Sequence, residues 1–312
     1  MSKSAIILGI KEFSLSLDEK RFFQEKKPLG VILFSRNIQN PRQTVSLTKS
    51  IKKILGKEAM ILIDQEGGRV SRLNKYYWKT YPDANYFGKI ANSNLDKAKN
   101  LTYENFKDIG RNLYKLGINY NCAPVLDLNI KGASSVIGNR AFSRNPKIVS
   151  QLSLQACKGL LSENVFPIVK HIPGHGRAKV DSHFYLPIIK SSKKILEEDF
   201  YPFIKLNKQP LAMIAHIKYL DLDKEKCATY SKSIISFIKN KLGFEGILLS
   251  DDLCMKALKG SYINRARNAI KAGCDIVLHC EPNISNAEKS CEGAGYVSKK
   301  LMLKIKQLKT FN

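Results

Sequence analysis

Short apolar, β-branched runs recur along the chain, and most are followed by stretches in which apolar residues return every three or four positions. The runs at 5–9, 30–34, 60–64, 118–124, 166–171, 211–216, 247–251 and 276–280 read as buried strands. The periodic stretches at 41–55, 96–116, 147–163, 191–206, 231–242 and 261–272 read as helices. Glycines follow three of these at 117, 243 and 273, where a helix exit needs a left-handed residue. Strands that alternate with helices through short links imply a parallel sheet with helical crossovers. That pattern fits a (β/α)8 barrel and also an open doubly wound sheet.

Polar residues at the strand ends favour the barrel. Asp64-Gln65-Glu66, Asp127, Lys170-His171, His216, Asp251-Asp252 and His279-Cys280 all close apolar runs. In a barrel such ends converge on one face, whereas an open sheet spreads them along a line. The expected fold is therefore an α/β, (β/α)8 barrel, a single domain over 1–312. The long irregular regions 65–95 and 128–146 read as enlarged loops that wall a site. A basic amphipathic helix is expected at about 295–310, docked by Leu301, Leu303, Ile305 and Leu308.

Charge changes this picture little. The chain carries 52 Lys and Arg against 27 Asp and Glu, a formal net charge of +25. Lysine dominates and is scattered, with no nucleic-acid reading motif, so no nucleic-acid partner is expected. Seven cysteines, several inside apolar runs, read as reduced thiols in a cytoplasmic protein. The N-terminal apolar run is too short for a signal-peptide core, and no run is long enough for a membrane span. The expected protein is a monomer without membrane insertion.

Three clusters carry candidate chemistry. Residues 170–183, KHIPGHGRAKVDSH, hold three of the five histidines. Asp181 and His183 are two apart in a loop, so the carboxylate can orient the imidazole as a general acid and base. Asp251 and Asp252 end a buried run; either can serve as nucleophile, metal ligand or helix cap, and alternation sends them in different directions. Asp64, Glu66 and Arg72, around a Gly-Gly turn, suit a polyhydroxylated ligand. His171 and His175 have the spacing of helical zinc ligands, but Pro173 and Gly174 lie between them, so no metal and no cofactor is expected. His175, between glycines, reads as a buried loop anchor.

The segments IDQEGGRVSR, APVLDLN, VIGNRAF, VKHIPGHG, DSH, AHIKY, ATYSKSII, LGFEGILLSDDLCM and AGCDIVL occur in this order. Together they resemble the β-N-acetylglucosaminidases of glycoside hydrolase family three, in their short, cytoplasmic, single-barrel bacterial form. The resemblance implies removal of terminal N-acetylglucosamine from peptidoglycan-derived muropeptides, with retention through a covalent glycosyl-enzyme. It implies Asp251 as nucleophile, His183 as mobile acid/base and Asp181 as its dyad partner. It puts sugar binding on Asp64, Arg72, Arg140, Lys170 and His171. Lys170 and Arg140 are expected to keep Asp251 ionised, and Gly174, Gly176 and Ala178 to let the dyad loop move. One departure stands out. The family usually has Asp-Thr after GHG; here Arg177-Ala178 is expected to bring a cation near His183. A catalytically impaired sugar-binding barrel is the alternative reading.

Overall fold

The computed structural model describes residues 3–308. Its strands are β1 (Ser4–Gly9), β2 (Pro28–Leu33), β3 (Met60–Ile63), β4 (Tyr120–Asn121), β5 (Phe166–Ile172), β6 (Ile188–Ile189), β7 (Leu211–Ile214), β8 (Lys218–Tyr219), β9 (Ile247–Asp252) and β10 (Ile276–His279). Eight of them close a parallel barrel in the order β1-β10-β9-β7-β5-β4-β3-β2, which settles the choice against an open sheet. β6 and β8 pair separately outside it, a two-residue ladder too short to leave a period in the sequence.

Strand alternation divides the apolar residues into two sets. Ile7, Ile32, Leu62, Ile168, Met213, Leu249 and Leu278 fill the barrel. Their neighbours Leu8, Val31, Ile61, Val169, Ala212, Leu248 and Val277 pack outward under the helices. Those helices are α1 (Leu17–Lys26), α2 (Pro41–Leu55), α3 (Ala84–Ala91), α4 (Leu95–Lys115), α5 (Pro146–Leu161), α6 (Lys193–Lys205), α7 (Lys232–Asn240), α8 (Tyr262–Ala272), α9 (Ile284–Ala294) and α10 (Lys299–Gln307). Asn40 and Asn145 cap α2 and α5 just before a first-turn proline, and Ser231 caps α7.

Three helices, α1, α3 and α9, were not among those expected from the sequence. α1 buries two adjacent phenylalanines, Phe22 and Phe23, and α9 buries mainly Ala, Ser, Cys and Gly. α3 lies inside 65–95, a region expected to be irregular. It starts where the Asp83 side chain accepts from the Tyr86 amide. A Cβ on its Gly88 would fall 1.6 Å from the Phe142 carbonyl oxygen, so this glycine lets α3 pack directly on the 128–146 loop.

α10 closes the N-terminal end of the barrel. Leu301 and Leu308 join the barrel interior and Ile305 packs against it, while Lys304 donates to the Glu245 and Gly246 carbonyls just before β9. Leu303 was expected to dock as well. It is 60% exposed instead, because the stripe is narrower than four residues. Leu301→Ala should therefore cost about 2 kcal/mol or more, and Leu303→Ala no more than about 0.5 kcal/mol. Equal denaturation midpoints for the two variants would contradict this seating.

Candidate active site

The opposite end of the barrel holds a cavity of about 430 Å³. Inward-facing positions one step above the apolar layer point into it: Asp64 after β3, Lys170 on β5 and Asp251 on β9. Arg72 and Arg140 enter from the two enlarged loops, and His171 and His183 complete the set expected from sequence. Asp181 stands behind His183.

A buried charge network organises one wall. Lys170 Nζ donates to Asp64 Oδ1 at 2.8 Å and pairs with Glu66 Oε1 at 2.7 Å. Arg140 makes a two-pronged contact with Glu66, both N···O distances being 2.9 Å. Arg72 reaches Asp64 at 3.2 Å. Burial pushes the Asp64 and Glu66 carboxyls up, but Lys170 and its arginine partner outweigh burial at each. Asp64 ends well below the usual carboxylate range and Glu66 at about 2. Burial alone would lower the Lys170 ammonium, yet the two carboxylates hold it above its usual value. Glu66, read from the sequence only as half of a carboxylate pair, is thus as central as the residues assigned to sugar binding. Its partner Arg140 lies 74 positions away, too far for a local pattern to join them.

A second wall is built on Asp127. Its Oδ2 bonds His171 Nδ1 at 2.7 Å, and its Oδ1 accepts the His175 amide at 2.6 Å. His175 is buried, and burial followed by His171 lowers it to about 4, so its ring is neutral. Its Nε2 shares a 3.0 Å hydrogen bond with Ser182, the residue between Asp181 and His183. His175 is therefore the loop anchor its flanking glycines suggested.

Asp251 and Asp252 divide the work. Asp251 continues the inward row of Ile247 and Leu249 into the cavity and accepts the Asp252 amide at 2.8 Å. Asp252 Oδ1 takes the Cys254 and Cys280 amides, both at 3.0 Å, and so fixes the loops after β9 and β10. Burial pushes the Asp251 carboxyl up; His216, His171 and the Asp252 amide outweigh it, and the group sits below its usual value. Lys170 and Arg140 were expected to do this. They are instead engaged by Asp64 and Glu66.

The dyad is at the rim. Asp181 Oδ1 bonds His183 Nδ1 at 2.7 Å and accepts the His183 amide at 2.9 Å. The His183 side chain is 60% exposed. The loop behind it is less loose than its glycines implied. Gly176 packs on Leu128, whose carbonyl oxygen would lie 2.2 Å from an added Cβ, and Ala178 is buried. Exposure begins at Lys179. Arg177 does not confront His183, because Asp199 and Glu198 of α6 bind it. Its charge is compensated there, and it ties the base of the loop to that helix.

Carboxylates, cations and an Asp–His pair at the mouth of a (β/α)8 barrel suit a glycoside hydrolase, and the family match and the named relatives show that class. Residues 8–310 match the glycosyl hydrolase family 3 N-terminal domain. The chain belongs to that family. It is 34% identical over 284 residues to a beta-hexosaminidase of Thioalkalivibrio sulfidiphilus, covering 90% of this chain and 81% of that one. It is 36% identical over 272 residues to a beta-hexosaminidase of Nitrosomonas eutropha, covering 85% and 78%. The crystal structure of NagZ from Neisseria gonorrhoeae in complex with N-trifluoroacetyl-D-glucosamine superposes with a TM-score of 0.90 at 32% identity, covering 98% of this chain and 90% of that one.

Removing Glu66 tests the charge network. Glu66→Gln leaves Lys170 and Arg140 buried with one carboxylate fewer, and should cost about 3–5 kcal/mol at neutral pH. Because the folded-state value of Glu66 is depressed, its contribution is complete above its unfolded value near 4.5 and is lost as the pH falls through about 2. The variant should therefore show a flatter acid limb in stability against pH. A parallel limb in both proteins would refute this account.

Proposed function

We propose that this chain is a retaining β-N-acetylglucosaminidase that removes terminal, non-reducing N-acetylglucosamine from peptidoglycan-derived muropeptides. The observation that carries the proposal is the pairing of a lowered Asp251 carboxylate inside the cavity with an exposed Asp181–His183 dyad at its rim. The names and ligand of its relatives support the same sugar class.

In this reading Asp251 attacks the anomeric carbon, which it can do only as the anion. His183 protonates the departing oxygen. Asp181 accepts from Nδ1, so Nε2 carries the proton that is given up. The neutral imidazole then takes a proton from water, and that water releases the sugar from the glycosyl-enzyme. Most retaining glycosidases use a second carboxyl group here; the dyad takes its place. The exposure of His183 suits a group that approaches after the substrate enters, by movement of the segment beyond Ala178. Asp64, Lys170, His171, Arg140 and Arg72 bind the sugar. Their mutual ion pairs hold donors and acceptors in fixed positions before hydroxyls arrive.

The barrel acts as one catalytic domain, a cytoplasmic monomer. All seven cysteines are free, which suits a reducing compartment. Among the described residues no helix is long and apolar enough to cross a membrane. The positive charge helps capture the carboxylates of muropeptide stems. A peptide-free substrate with the same salt dependence of kcat/KM would count against that.

With a chromogenic N-acetyl-β-glucosaminide, the wild-type protein should release N-acetylglucosamine, and not its 1-phosphate, even in phosphate buffer. Asp251→Ala should lose about 10³-fold or more in kcat. His183→Ala should lose about 10²–10⁴-fold with poor leaving groups and less with good ones, which need no proton. Unchanged turnover in Asp251→Ala would remove the nucleophile assignment.

A further inference from the structure

The ends of β9 and β10 bring together three side chains that the glycosidase reading does not use. The Cys254 thiol, the His279 imidazole and the Glu281 carboxylate each offer one ligand atom, and these atoms lie within 4.8 Å of one another. They come from neighbouring strand ends, so the cluster has a rigid base.

His279 is the informative member. It points outward from β10 and is fully buried. Its Nδ1 shares a 2.9 Å hydrogen bond with Ser290 on α9. Its Nε2 is buried without a partner at good hydrogen-bond geometry, and only the Glu281 backbone lies near enough to act on the ring. A buried polar nitrogen left in this way is costly. With Ser290 accepting from Nδ1–H, Nε2 presents a lone pair, which is the arrangement of a metal-binding imidazole held by an outer partner. Burial lowers the pKa of the ring and keeps it neutral.

The other two residues are held comparably. Glu281 Oε2 accepts from Tyr262 at 3.0 Å and from Asn286 at 3.1 Å, which leaves Oε1 available. Burial first, and then Asp252, pushes the Cys254 thiol up, so it is protonated until a cation displaces the proton. Arg265 stacks on Tyr262 at 5.1 Å and opposes a cation. Its guanidinium is committed to the Leu253 carbonyl at 2.7 Å, and a thiolate with a carboxylate offsets it.

We propose that Cys254, His279 and Glu281 form a binding site for a zinc-class divalent cation. One sulfur, one imidazole and one carboxylate suit zinc or its cobalt surrogate in tetrahedral geometry. Tetrahedral ligands at zinc distances lie about 3.3–3.8 Å apart, so the side chains close by about 1 Å on binding. The thiol proton goes to solvent and the thiolate bonds the metal. Cys254 and Glu281 also border the sugar cavity. The cation would clamp the loops after β9 and β10, close to Asp251, without entering the glycosidase chemistry.

Cobalt(II) titration tests this directly, in a His183→Ala background that removes the rim imidazole as a rival ligand. We expect one equivalent to bind with a near-ultraviolet thiolate-to-cobalt charge-transfer band. Cys254→Ser should abolish the band. Glu281→Gln, a partly exposed change that leaves the fold intact, should keep the band but weaken zinc binding about tenfold or more. Ser290→Ala should also weaken it. Cobalt binding without the band, or a band that survives Cys254→Ser, would overturn the proposal; so would no binding at millimolar cobalt.

Discussion

Lys170 is the residue around which the mouth of the barrel is arranged. Its ammonium is almost fully removed from water and is held by Asp64 and Glu66, which in turn hold Arg72 and Arg140. No member could be buried alone: an unpaired charge at this depth would lose its hydration with nothing in return. The network also spans the structure. Asp64 directly follows β3, Lys170 stands on β5, and Arg72 and Arg140 sit on the two enlarged loops. Pairing these groups therefore fixes the loops to the barrel. The same donors and acceptors that hold the loops present a rigid polar wall to the cavity.

The second organising feature is a contrast in exposure. Asp251 sits on a strand, in a row of inward side chains, and its ionised form is favoured by histidines and a backbone amide. His183 sits on an exposed loop and is oriented by a single carboxylate. A nucleophile benefits from a fixed position and a fixed charge. A group that must give and then take a proton benefits from access to both substrate and water. The loop is graded to match. Its first half is immobilised by Gly176 against Leu128, by the burial of Ala178, and by Arg177 on α6. Beyond Ala178 most residues are exposed, as the proposed approach of the dyad requires, and Ser182 alone stays buried against His175. Arg177, expected to be a disturbance beside His183, belongs to the fixed part.

The barrel was legible because short continuous apolar runs and a period near 3.6 leave different traces, and seven of its eight strands had such a run, while the two-residue β4 showed only as Tyr120 and Cys122 alternating with asparagines. What escaped notice did so for identifiable reasons. α9 is built from small residues, so burial there leaves no large apolar stripe. The β6–β8 ladder is only two residues long on each side. Leu303 was misplaced because sequence fixes the period of a helix but not the width of its buried face.

At the site, residue types were legible and partnerships were not. Asp64, Lys170, His171 and Asp251 stood out because charged groups rarely end apolar runs without a use. Which cation serves which carboxylate depends on strand direction and loop path, neither of which a local pattern contains. That is why the lowering of Asp251 was assigned to Lys170 and Arg140 when histidines supply it, and why Glu66 was undervalued. His279 makes the same point from the other side. It closes its strand as Lys170-His171 and Asp251-Asp252 close theirs, but its position in the alternation turns it outward, away from the sugar cavity and under α8 and α9. A polar residue at a barrel strand end is thus not assigned to the mouth by its place in the run alone. Parity turns His279 into the layer beneath the helices, whereas His171 and Asp252, out of step with the inward row in the same way, still reach the cavity, so the path of the chain after each strand decides as well.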